Sequence, residues 1–187
     1  MKEKLPAVAA DSRLPDLAKY ENFKYESLPS ATSIRLLLID YEGSQPDANL
    51  IKLAFRIVDL DNAPAFAALS YVWGDHRPAL NQGFNKKRSQ RYFDIICDGR
   101  KISVTYNLFC ALRRLAAIQD GSSAQVGDSG IWIDQLCINQ KNLAERSQQV
   151  AMMDRIYGQA RTVTAWLGEA DSHTNPALQL LEIFSET

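Results

Sequence analysis

The chain has 187 residues, 46% hydrophobic and 23% charged, a length that suits one globular domain with a real core and leaves two cramped. A formal net charge of -1 removes any bulk electrostatic case for a nucleic-acid or anionic-membrane partner. Three widely spaced cysteines (Cys97, Cys110, Cys137), no CxxC pair and only two histidines argue against a disulfide framework or a structural zinc site, so no metal and a reducing, cytoplasmic setting are expected.

Residues 1–30 carry prolines and charges with little periodicity and read as an N-terminal tail or loosely packed arm ahead of one domain, 31–187. They lack the apolar core of a signal peptide, and no run approaches the ~20 apolar residues of a membrane span. "IRLLLID" (Ile34 to Asp40) is a short apolar strand. "LIKLAFRIVDL" places Ile51, Leu53, Phe55 and Ile57 at period two and is a second strand, joined to the first by the turn-rich "YEGSQPDAN". "FAALSYVW" has almost no polar residue before Ser70, as in a strand covered on both faces. The basic run "NKKRSQR" (Asn85 to Arg91) sits among Asn, Gln and Gly and reads as a solvated loop.

"YFDIICDGRKISVT" sets Asp98-Gly99 between apolar alternations, the pairing a tight hairpin prefers because Gly tolerates positive φ. In "YNLFCALRRLAAI" the spacing of Leu108, Leu112 and Leu115 predicts a helix, and "QDGSSAQVGDSG" is a loop by composition. The strand "GIWID", a long helix through about Ala160, the strand "RTVTAWLG" and a helix from Pro176 follow. That last pattern breaks off at Thr187, so a domain truncated at its C-terminus is expected. The alternation predicts an α/β fold, a mainly parallel sheet flanked by helices, with antiparallel β additions in the N-terminal half. No phosphate-binding glycine loop occurs.

In such sheets ligands sit beyond the carboxyl ends of strands, and two strands end in abruptly polar text: "LSYVWGD" and "WIDQLCINQ". The first supplies Ser70, Tyr71, Trp73 and Asp75; the second supplies Asp134, Asn139 and Gln140. The tips are expected to share one cleft. On the next helix, ~100° per residue puts Leu143, Val150, Met153, Ile156, Tyr157 and Ala160 on a core-facing arc. Arg146 and Gln149 fall inside that arc and Glu145 at its edge, so polar groups aim inward beside the second tip. Structural roles compete at each position. Asn142 and Glu145 fit a capping box, Asp134 and Asn139 are good turn formers, and Arg146 and Gln149 can tie loop carbonyls. The tryptophans suit a core, and Cys137 lacks the surroundings of a catalytic thiolate.

The blocks "ALSYVWGD", "ICDGRKISVTYNLFCALRRL" and "IWIDQLCINQKNLAERSQQVAMMDRIYGQARTVTAWLG" closely resemble, in order, spacing and wording, those of the fungal heterokaryon-incompatibility (HET) domain. The resemblance spans about Ile34 to Gly168. It implies a domain that triggers growth arrest or cell death when genetically different hyphae fuse. HET domains have been likened to Toll/interleukin-1 receptor (TIR) domains, which implies a TIR-like, flavodoxin-like sheet. Some TIR domains cleave NAD with a glutamate near the nicotinamide ribose; others only assemble.

Two functions therefore stand side by side. In one the domain hydrolyses NAD or a related nucleotide as substrate, with no bound cofactor; Glu145 or, second, Asp134 serves the ribose, Arg146 holds phosphate, and Ser70, Tyr71 and Trp73 line the pocket. In the other it is a non-enzymatic death-signalling module that self-associates or meets an incompatibility partner protein.

Overall fold

The computed structural model describes residues 15–73, 92–117, 130–169 and 174. Asp75, both histidines, the basic run 85–91, the loop 119–129 and the helix expected from Pro176 lie outside them. Among the described residues seven strands form one sheet: β1 (Ser33–Ile39), β2 (Lys52–Asp59), β3 (Ala67–Tyr71), β4 (Tyr92–Cys97), β5 (Arg100–Thr105), β6 (Ile131–Trp132) and β7 (Thr162–Trp166). The helices are α1 (Tyr106–Ala117), α2 (Asp134–Cys137), α3 (Leu143–Ala151) and α4 (Met153–Gln159).

The fold is α/β, and its sheet runs β5-β4-β2-β1-β6-β3-β7. The mainly parallel sheet expected from the sequence is instead mixed. Parallel pairs join β2 to β4 and β3 to both β6 and β7; antiparallel pairs join β1 to both β2 and β6, and β4 to β5. The cause is local. The turn after β1 returns the chain at once, with Asn49 at φ 58, so β1 and β2 pair from Ser33↔Asp59 to Ile39↔Leu53 and β1 enters the middle of the sheet reversed. The Asp98-Gly99 hairpin forms as its sequence predicts, both residues at positive φ (49 and 69) between the Cys97↔Arg100 pair.

Buried apolar residues of β1, β3, β4, β6 and α1 make the core, among them Ile34, Leu36, Leu69, Ile95, Leu108, Phe109, Leu112 and Trp132. Burying each Leu, Ile or Phe stabilises the fold by about 1.5–3 kcal/mol. Part of the N-terminal arm is docked here. Phe23 and Tyr25 pack on Phe55, the backbone of Phe23 donates to Lys101 at 2.8 Å, and Tyr25 Oη donates to the Leu136 carbonyl at 2.8 Å.

The single long helix expected up to Ala160 is two, broken at Met152 (φ -102, ψ 0). Its expected face holds for Gln149 and Ile156 and is corrected for Leu143, Val150 and Arg146. Leu143 and Val150 are exposed, as is Arg146, while Glu145, Gln149, Met152 and Ile156 turn inward. Polar bonds set this rotation: Asn142 caps Glu145 N at 3.2 Å, Gln149 Nε2 donates to Ser33 O at 2.9 Å, and Glu145 meets Arg35. No helix among the described residues is long and apolar enough to cross a membrane.

Candidate functional site

The two polar strand tips come together. Parallel pairing of Ala67 with Ile131 and of Ala68 with Trp132 puts β3 and β6 side by side, pointing the same way. Their next residues then converge: Trp73 Nε1 donates to Asp134 Oδ2 at 2.7 Å, and Tyr71 Oη donates to Gln135 Oε1 at 3.0 Å. The start of α1 closes the group from the other side. Thr105 Oγ1 donates to Gln135 Oε1 at 3.2 Å, and Asn107 Nδ2 donates to Val72 O at 2.7 Å. Trp166, at the end of β7, donates its indole N–H to Asn107 Oδ1 at 2.9 Å.

Asp134 opens α2, and its Oδ1 accepts from Gln135 N at 2.7 Å. Burial raises its carboxyl above the usual carboxylate range, although the bonds from Trp73, Gln135 N and Tyr71 act to lower it. The carboxyl acts on its neighbours in turn. Burial first, then the Asp134 charge, pushes the Tyr71 and Tyr157 phenols upward. A half-buried acid bonded by the Trp73 N–H and flanked by the Tyr71 hydroxyl is able to stabilise a developing cation or to exchange a proton. Trp73 stays 41% exposed while its indole N–H is fixed.

Glu145 belongs to a different constellation. Its carboxylate accepts from Arg35 Nη1 at 2.5 Å and Nη2 at 3.3 Å, and from Asn139 N at 2.8 Å. Arg35 also donates to the carbonyls of Cys137 (3.0 Å) and Glu26 (2.6 Å) and lies over the Tyr25 ring, 5.0 Å from its centroid. The pair is deeply buried, at 3% and 8% side-chain exposure. Asn142 provides its half of the capping box, but the Glu145 side chain reaches Asn139 N instead of returning to Asn142.

The other expected residues divide. Gln140 Nε2 binds Asp134 O at 2.9 Å and so braces the acid's turn; Asn139 Oδ1 accepts from Lys141 N at 3.2 Å, forming a turn of its own. Ser70 is exposed one position before Tyr71. Gln149 is buried against β1, and Arg146 faces outward, away from the inward arc expected for it. Cys137 is buried, its Sγ taking the Ile133 N–H at 3.3 Å, and burial pushes its thiol up to about 12. Gln135, Thr105, Asn107 and Trp166 were not foreseen as site residues. Asn107 had a legible signal, a polar residue on the apolar face of α1, and Gln135 lay in the abruptly polar text after β6; Thr105 and Trp166 had none.

A family model described as "Heterokaryon incompatibility protein (HET)" matches residues 66–186, which include Tyr71, Trp73, Thr105, Asn107, Asp134, Gln135 and Trp166. The chain is 29% identical over 163 residues to "Heterokaryon incompatibility protein 6, OR allele" of Neurospora crassa, a match covering 85% of this chain and 22% of that protein. The chain thus spans about a fifth of the length of that curated relative. No solved structure matches it.

Proposed function

The chain belongs to the heterokaryon incompatibility (HET) family, and on that premise we propose that it is the effector domain of fungal non-self recognition, arresting growth or killing the cell by TIR-like hydrolysis of NAD or a related nucleotide. The observation that carries this reading is the Trp73–Asp134 hydrogen bond at the tips of adjacent parallel strands, an aromatic face beside a half-buried acid.

In the proposed reaction the bond between the nicotinamide nitrogen and ribose C1′ breaks, and nicotinamide leaves neutral with the bonding pair. Water adds to C1′ and releases one proton. Positive charge grows on the sugar before water adds, so a carboxylate in a partly dry cleft stabilises that state more than the bound substrate. Asp134 takes this role, Trp73 stacks on a ring, and Tyr71, Gln135 and Gln140 hold the frame. Glu145 acts at one remove, fixing the 134–140 turn through Arg35 and Asn139.

A second reading is a self-associating signalling module without catalysis, favoured by the exposed apolar residues Leu143 and Val150 on α3. Incubating NAD with the purified protein, alone and after enforced clustering, separates the two. Loss of NAD that stops in Asp134→Asn supports the enzyme. NAD held constant by clustered protein that still kills cells supports the module.

A further inference from the structure

Helix α3 is inside out. Its sheet-facing side holds Glu145 and Gln149, at 8% and 0% exposure, while Leu143 and Val150 stand 66% and 54% exposed. At ~100° per residue, Leu143, Ser147 and Val150 form one outward stripe, with the exposed Ala144 and Ala151 along its flank. This orientation is not slack in the packing, because the Arg35–Glu145 pair and the bond from Gln149 to Ser33 O lock the helix about its axis. The fold therefore holds an apolar face toward solvent at the expense of polar groups in the interior.

We propose that this face docks on the same face of a second copy of the chain, the two α3 helices antiparallel about a twofold axis at Ser147. Residues equidistant from Ser147 then meet at the same height. Leu143 stands against Ala151 of the other copy and Val150 against Ala144, a large residue opposite a small one each time, with the small Ser147 where the axes come closest. Charge agrees with size. Exposed Lys141, just ahead of the helix, comes near exposed Asp154, just beyond the other copy's helix, twice by symmetry. The antiparallel arrangement also opposes the two helix dipoles. The proposal deepens the self-association reading and is independent of nucleotide chemistry, since it concerns pairing alone.

Disulfide trapping in the whole chain tests it. The native thiols Cys97, Cys110 and Cys137 are buried, so a new surface thiol reports without background. Ser147→Cys should form a covalent dimer under mild oxidant at least ~10-fold faster than Arg56→Cys on the exposed side of β2, through the raised local concentration of a pre-formed pair. Adding Ala151→Trp, which blocks Leu143 of the other copy by bulk, should return the rate to the control, with an unchanged melting curve showing the fold intact. Leu143→Glu should do the same by charge. A Ser147→Cys rate equal to the control, or unaffected by both blocking variants, overturns the proposal. So does a longer form of the protein in which the thiol introduced by Ser147→Cys is protected from maleimide without crosslinking, a result that assigns the face to another part of that chain.

Discussion

Arg35, in the middle of β1, and Glu145, in the first turn of α3, form a two-pronged ion pair inside the protein, and Glu145 uses the same carboxylate to hold the Asn139 N–H. A single side chain thereby joins strand, turn and helix. Glu145→Ala should destabilise the fold by about 3–5 kcal/mol, because it leaves the Arg35 charge buried without its partner. Replacing both residues, as Arg35→Met with Glu145→Leu, should recover part of that loss. Recovery stays incomplete because the carbonyls of Cys137 and Glu26 lose a donor. Chemical denaturation of the single and double variants measures this. A Glu145→Gln protein that keeps full stability while losing all killing would contradict the structural role and return catalysis to Glu145.

Asn142→Ala should cost about 0.5–2 kcal/mol, the usual value of an N-cap side chain, through the bond to Glu145 N. Asn142→Asp should restore it. Thermal melts at neutral pH separate the three proteins.

Asp134→Asn should abolish the proposed hydrolysis, and its stability relative to the wild type should improve as pH rises. The carboxyl is raised in the folded state, so between its ordinary value of 3.8 and the folded value the unfolded chain holds fewer protons. Stability therefore falls as pH rises through that window, and the deficit persists above it. Asn carries no such deficit and can still accept the Gln135 N–H, but its Nδ2 then faces the Trp73 N–H, donor against donor, a loss that does not depend on pH. The difference in melting temperature, variant minus wild type, should shift in favour of Asn as pH rises from about 3. A variant less stable at neutral pH by the amount lost at low pH rules out the ionisation effect.

Trp73→Phe should keep an aromatic face and remove the bond that stabilises the Asp134 carboxylate. The acid limb of any pH–rate profile should move upward, with a smaller loss than in Trp73→Ala, which removes the ring as well. An unmoved limb places the titrating group elsewhere.

All three thiols should resist alkylation in the native protein. Burial raises each, Cys110 to about 11 and Cys137 to about 12, so little thiolate exists near neutral pH. Maleimide uptake that appears only on adding denaturant is the expected result. Rapid labelling of Cys137 in the native state contradicts its burial.

The tips of β3 and β6 were legible because each passes from apolar to polar text within two residues, and parallel pairing then aligned Trp73 with Asp134. Asp98-Gly99 was legible because its backbone demand is intrinsic to the residues. The Arg35–Glu145 pair was not, since its partners lie 110 residues apart and nothing local to Glu145, read as a cap or an inward acid, names its partner in the apolar run of β1. The face of α3 was misjudged for the same reason. Apolar spacing selected Leu143 and Val150 for the core; Gln149 and Ile156, on the same arc, are buried as expected, and long-range polar bonds turn the helix so that Glu145 joins them while Leu143 and Val150 face out. The break at Met152 follows no glycine or proline, so the text around it reads as unbroken helix.

The reversed strand β1 meets the parallel half of the sheet through one pair, Leu37↔Ile131, because β6 is only two residues long. That seam is the narrowest backbone connection between the β5-β4-β2-β1 group and β3-β7, and Asp134 follows β6 by two residues. Arg35 bridges it from the side by gripping Cys137 O. The two groups should therefore act as plates on a short hinge, clasped by Arg35 and also by the bond from Gln149 to Ser33 O. Slow amide exchange should persist in β1 and β2 while β6 and α2 open first, and releasing Arg35 should widen the gap under Asp134 before either plate melts.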